Sequence, residues 1–146
     1  MTSMVTISFT LDTTDATAAL GFEAWIDDRK CLDVDRVQKA QQVVVELEDT
    51  DSAEHELRLV LKNKTFDHTQ IDEHGNILTD ARIMISDIAF DEIQLGHLFG
   101  EHTVYTHNFN GTGDTIQTKC YGELGCNGTV SLKFTTPVYL WLLEYM

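Results

Sequence analysis

The chain has one proline in 146 residues, 3 cysteines, and only 10 lysines and arginines against 24 aspartates and glutamates. With so little proline, 42% hydrophobic residues and an ordinary share of aromatics, a disordered chain is excluded, and a core can form without metal or disulfide. The scarcity of bases leaves a net charge of −14, which repels phosphate backbones and excludes direct nucleic-acid binding. Cys31, Cys120 and Cys126 are odd in number, which fits a reducing compartment; Cys120 and Cys126 read as small buried hydrophobes ahead of a thiol pair. Long apolar runs are absent as well. Val138 to Leu143 has a strand's length, not a bilayer's, so no membrane association is expected. Met1 to Phe9 alternates and has neither a basic n-region nor an apolar h-region, so the protein is expected to be made and kept in the cytosol of its producer unless it leaves by lysis. The glycosylation patterns at Asn63, Asn110 and Asn127 are discounted accordingly.

Motifs of catalysis are also lacking. No glycine-rich loop precedes a lysine and a hydroxyl, and no serine-centred nucleophile elbow occurs. Pairing Glu101 with Asp114 for glycoside hydrolysis would be arbitrary in a chain this acidic. The sequence therefore predicts a protein that is not an enzyme. Its acids are spread over all segments, which describes a solvated surface rather than an acidic tail.

What is present is alternation. Val5, Ile7 and Phe9 share one face, as do Leu20, Phe22, Ala24 and Ile26, with Trp25 opposite. Asp27 to Lys30 reads as a tight turn and Cys31 to Val34 as the return strand of a hairpin. Gln42 to Leu47 is β-branched. Leu57, Leu59 and Leu61 alternate with polar residues, and Ile83, Ile85 and Ile88 form a second such run after the loop Asn63 to Asp80. Ala89 to Leu95, Thr129 to Phe134 and Val138 to Tyr145 complete the strands. Helix signals are poor: Asp33 to Gln41 has no apolar stripe, and Gln94 to Phe99 offers one turn. These runs predict an all-β jelly-roll sandwich as a single domain over residues 1–146, with a glycine- and aromatic-rich insertion or arm at 97–128.

Oxygen donors concentrate in the loop from Asn63 to Asp80. Asn63, Asp67, Asp72 and Asp80 are the candidate calcium ligands, because calcium takes six to eight oxygens in flexible geometry; a solvated loop is the alternative, and otherwise no cofactor is expected. The six histidines show no ligand spacing that suggests zinc. Trp25, Tyr105, Tyr121, Tyr139 and Trp141 offer flat faces for a pyranose ring or anchors for a subunit interface.

Ile26 to Asp28, Leu57 to Asn63 and Asp80 to Ile88 together resemble the calcium-dependent xylan-binding modules. The resemblance covers roughly residues 4 to 95. It implies a small jelly-roll sandwich in which calcium bridges sugar hydroxyls to the protein. In that family an Asn-Asp pair ends one strand and an Asp-Arg-Asn-Leu sequence opens the next. Asn63 matches the first asparagine and Asp80 the leading aspartate, whereas Lys64 and Arg82 stand where the family has further ligands and Ser86 where it has a later aspartate. The C-terminal block, Tyr105 to Gly111 and Gly125 to Glu144, resembles the ending of small virion structural proteins of tailed phages, especially marine ones. That second resemblance implies a structural, non-enzymatic virion component, such as a capsid decoration, neck or tail-associated subunit. It would be located on the virion, self-associate as a homo-oligomer and pack against other virion proteins. The alternative expectation is a calcium-dependent carbohydrate-binding domain that adheres to host or environmental glycans.

Overall fold

The computed structural model describes residues 4–15, 17–64, 69–71, 73–74, 77–111 and 113–145, and for residues 69–71, 77–80 and 110 the backbone alone. Two antiparallel sheets pack face to face as a sandwich. The first contains β1 (Met4–Thr13), β4 (Gln41–Glu48), β8 (Ile83–Phe90), β9 (Ile93–Gln94) and β12 (Glu123–Leu124), in the order β12-β8-β1-β4 with β9 beside β8. The second contains β2 (Gly21–Ile26), β3 (Arg29–Val34), β5 (Ala53–Lys62), β10 (Thr103–His107), β11 (Ile116–Thr118) and β13 (Gly128–Thr136), in the order β11-β10-β13-β5-β2-β3. A two-stranded ribbon, β6 (Thr69–Ile71) with β7 (Ile77–Asp80), stands between β5 and β8 in the chain.

The alternating runs face inward as their period requires. Val5, Ile7, Phe9 and Leu11 of β1 meet Leu57, Leu59 and Leu61 of β5 and Phe22 of β2 in one buried cluster, with Phe9 edge-on to Phe22 at 6.1 Å. Ile85 and Ile88 are both buried although three positions apart. β8 spends an extra residue there: Ser8 pairs Ala89 and Thr10 pairs Ser86, and Asp87 takes a φ of 55°. That bulge turns the side-chain alternation over and keeps both isoleucines in the core.

The segment 97–128 is woven into both sheets. Within it β10 lies between β11 and β13, β12 edges the first sheet, and α1 (His97–His102) supplies buried Leu98 and Phe99. Tyr105, Cys120 and Leu124 from this segment belong to the core. Cys31, Cys120 and Cys126 form no disulfide with one another, and burial pushes the Cys120 thiol up.

One expected strand is a helix. Val138–Tyr145 forms α2, burying Val138, Trp141 and Leu142 at helical spacing and exposing Tyr139, Leu140 and Leu143. The topology explains why: β13 already has β10 on one edge and β5 on the other, so a strand returning after Pro137 would find no free edge of β13. Pro137 suits the start of a helix, and Asp49 Oδ1 accepts the Val138 N–H at 3.0 Å, capping one otherwise unpaired donor.

Candidate functional site

The predicted calcium ligands run from Asn63, just past β5, to Asp80, the last residue of β7. Asn63 is exposed with a φ of 70°, a conformation asparagine tolerates, and a side chain on Gly21 would meet its amide at 2.7 Å. The next residue decides the character of this end. Lys64 is only 5% exposed; its N–H donates to Asn127 Oδ1 at 2.9 Å, its carbonyl accepts from Asn127 Nδ2 at 2.8 Å, and its ammonium donates to the Gly125 carbonyl. A buried cation thus stands beside Asn63 and ties the loop after β5 to the loop before β13. Among the described residues no group of three or more His, Cys, Asp or Glu gathers to hold a metal. Asp80 closes β7 opposite Thr69, and Asp67 and Asp72 lie outside the described residues. Of the four predicted ligands, Asn63 alone has a described side chain, and it stands beside the Lys64 ammonium; calcium takes several carboxylate or carbonyl oxygens.

Of the five predicted aromatics, two are core residues and not surface platforms. Tyr105 is 5% exposed and its hydroxyl bonds the Cys126 carbonyl; Trp141, on the inner face of α2, is 4% exposed. Trp25 lies on the outer face of the second sheet, where Arg58 and Lys30 sit over its ring at 5.2 and 5.4 Å and Glu23 accepts its Nε1 proton at 2.9 Å. Lys62 bridges Glu23 and Asp33 at 2.9 and 2.6 Å. Hydrogen bonding to Lys62 comes first in lowering both carboxyls, and the same bonds raise the lysine. Trp25 is therefore committed to a charge lattice. Tyr121 and Tyr139 are exposed, but on separate elements: Tyr121 lies against Gly100, and Tyr139 is on α2.

The opposite end of the sandwich holds a constellation the strand reading passed over. His55 lies in the inward register of β5 that continues through Leu57, Leu59 and Leu61, and Phe134, in the inward register of β13, stands directly across from it. Their rings lie 5.7 Å apart. Phe134 packs on Phe90 at 4.9 Å and on Trp141 at 6.3 Å; Trp141 reaches Tyr145 at 5.4 Å, and His102 meets the Tyr145 ring edge-on at 4.5 Å. On the other side of His55, Nδ1 is 2.7 Å from Asp27 Oδ2. Asp27 has a φ of 53° and is held by its neighbours: Oδ1 accepts the Glu56 N–H at 2.9 Å, its own N–H donates to the Glu56 carbonyl, and Arg58 donates to its carbonyl at 2.6 Å. Burial pushes the Asp27 carboxyl up, but the His55 bond, the Glu56 N–H and the charges of His55 and Arg58 together bring it below the usual carboxylate range. His55 Nε2 is buried and has no partner among the described residues.

These groups frame an open cleft of about 690 Å³, with Glu54, Lys133 and Glu144 exposed at its rim and Tyr145 44% exposed above Trp141. A second hollow of about 710 Å³ lies on the Arg29 and Glu48 side of the same Asp27–His55 pair. A histidine in the inward register of a strand, one step before a run of leucines, is the signal that could have found the site. Imidazole in such a position calls for a polar partner.

No family model and no curated protein matches this sequence. Two solved structures share its fold. One is the selenomethionine form of vCBM60, described in work linking two families of calcium-dependent carbohydrate binding modules by circular permutation. Its TM-score is 0.55 at 11% identity, over 88% of this chain and 89% of that one. The other is vCBM60 in complex with galactobiose, with a TM-score of 0.50 at 13% identity, over 87% of this chain and 96% of that one. The chain is thus a β-sandwich of the carbohydrate-binding-module type in fold, as the strand pattern predicts. Neither neighbour is described as a virion component.

Proposed function

We propose that this chain is a non-catalytic carbohydrate-binding domain whose sugar site is the cleft between His55 and Tyr145. The observation that carries the reading is the meeting of ring faces and hydrogen-bonding groups in that cleft. The exposed Tyr145 ring is fixed from below by Trp141 and from the side by His102, so it offers a preorganised face to the C–H side of a pyranose. Glu54, Glu144 and Lys133 surround it with acceptors and a donor for hydroxyls. Carboxylates outnumber the ammonium at this rim, and the whole chain carries −14, so the fitting ligand is a neutral glycan rather than a uronate-rich one. The fold shared with vCBM60 supports the same class, and the galactobiose seen with that neighbour makes neutral disaccharides the first probes.

The test is titration of neutral di- and oligosaccharides, galactobiose included, monitored by tryptophan fluorescence and calorimetry. Wild type should bind at least one neutral glycan and Tyr145→Ala should lose at least tenfold in affinity with its fold intact. A wild type that binds none of the neutral panel, or a Tyr145→Ala variant that binds equally well, overturns the reading.

A second reading, a virion subunit packing on other virion proteins and carried on the particle, draws on one observation. Tyr139, Leu140 and Leu143 stand 55%, 54% and 70% exposed on a helix of eight residues. Such side chains can anchor a protein contact. Co-purification with assembled particles would test it.

A further inference from the structure

From the edge of the first sheet we infer a self-association site: strand β4 pairs antiparallel with β4 of a second copy about a two-fold axis at Val44. The backbone directions define the surface. Thr6 turns its N–H and C=O toward Asp91, its N–H donating to Asp91 Oδ1 at 2.8 Å and its carbonyl accepting the Asp91 N–H at 2.7 Å. Thr6 stands opposite Glu46, so Glu46 directs its own backbone groups away from β1, and by the alternation of a strand Val44 and Gln42 do the same. The Glu46 carbonyl confirms this, since Arg29 Nη2 reaches it from outside at 2.6 Å. Among the described residues β4 has β1 on one edge and no strand on the other, along eight residues.

That edge is self-complementary in one register. Centred on Val44, the pairing joins outward-facing residues to outward-facing residues: Val44 to Val44, and Gln42 to Glu46 in both directions. Val44, 56% exposed in one copy, covers its equivalent. Beyond the strand, the register brings Lys39 of one copy alongside Asp49 of the other, whose Oδ1 also accepts the Val138 N–H within its own copy. Centring on Glu46 would set two carboxylates face to face, and centring on Val45 would make them diagonal neighbours. Charge excludes those two axes, and an axis at Val43 would pair only residues 41–45 of β4 against 41–47 about Val44, so the longer overlap selects the Val44 axis. Val43, Val45 and Leu47 stay on the inner face, so the core of each copy is undisturbed.

Arg29 is the counterweight. Its guanidinium occupies the Glu46 carbonyl, one of the acceptors the second copy needs, as charged residues commonly do at sheet edges. Together with the −14 charge on each copy, it makes the association weak and concentration-dependent.

Sedimentation velocity of the full chain across a wide concentration range tests the site. Wild type should shift from monomer to dimer as concentration rises. Val44→Pro removes the central N–H at a solvent-facing edge position, and Val44→Lys places two like charges on the axis. Both should remain monomeric at concentrations where wild type is dimeric, with unchanged circular dichroism. Arg29→Ala should lower the dimer dissociation constant several-fold. A wild type that stays monomeric throughout overturns the proposal. So does a dimer that survives both Val44 variants, or one abolished instead by Leu143→Ser on α2.

Discussion

His55 and Asp27 stand 28 positions apart in the chain and 2.7 Å apart in space, because the β2–β3 turn and the start of β5 meet at one end of the second sheet. The pair joins the hydrogen bonds that hold an aspartate at positive φ to the ring stack that runs from Phe134 to Tyr145. A ligand in the cleft beside Tyr145 would touch a wall whose far side is fixed by Asp27. Each Asp27 carboxylate oxygen is engaged, one by His55 and one by the Glu56 N–H, so this wall is held from behind.

Asp27→Asn should show this coupling as a pH-dependent stability difference. The amide keeps an oxygen for the Glu56 N–H but loses the charge facing His55. A carboxyl whose folded pKa is lowered contributes stability that is fully present above its unfolded pKa and disappears as pH falls through the folded one. Wild type should therefore exceed Asp27→Asn by about 1 kcal/mol at about pH 6, a figure held down because the Asp27 side chain is 46% exposed. The difference should shrink as pH falls below the ordinary aspartate range and disappear once the folded carboxyl is protonated. Urea melts across an acid pH series measure it; a gap that stays constant with pH would remove the charge from the account.

Trp141 and Leu143 separate helix from strand at the C-terminus. In a strand they would share a face; in α2 Trp141 is 4% and Leu143 70% exposed. Trp141→Ala should cost about 3–5 kcal/mol by emptying the space between Phe90 and Phe134. Leu143→Ala should stay within about 0.5 kcal/mol. Chemical denaturation of the two variants decides it, and comparable losses would favour a strand.

The same pair shows what could be read from the sequence. Strands β1, β2 and β5 carry a period of two with polar residues between, and their faces follow directly from the residues. Val138 to Tyr145 is apolar at nearly every position, so it contains no period to read. Only the topology, with both edges of β13 taken, rules out another strand beside it. The cleft was hidden for a related reason. Its members come from the β2–β3 turn, β5, β13 and α2, and each looks ordinary alone: Asp27 as a turn residue, His55 as a strand residue, Phe134 as core. Tyr105 and Trp141 were expected at the surface because residue type alone does not reveal which side of a segment is covered.

Lys64 carries the prediction about calcium. Its ammonium, buried beside Asn63, supplies positive charge where the resemblance to calcium-dependent modules places ligands for a cation. A divalent ion next to it would pay a Coulomb penalty in a poorly solvated place, so the protein should melt at the same temperature in chelator and in millimolar calcium. Calcium at a hundred times its dissociation constant would add about 2.7 kcal/mol, enough to raise the midpoint by several degrees. Differential scanning calorimetry resolves that easily. An upward shift would bring Asp67, Asp72 and Asp80 back as ligands against this expectation. Lys64→Met sharpens the test, because it keeps the buried stem but leaves the Gly125 carbonyl without its charged donor. It should cost about 1–3 kcal/mol whether or not calcium is present. If Lys64→Met melts lower in chelator but recovers in calcium, the ammonium was standing in for an ion the site can still accept; if the loss is the same in both, the lysine is a structural tie between two loops and the metal has no place there.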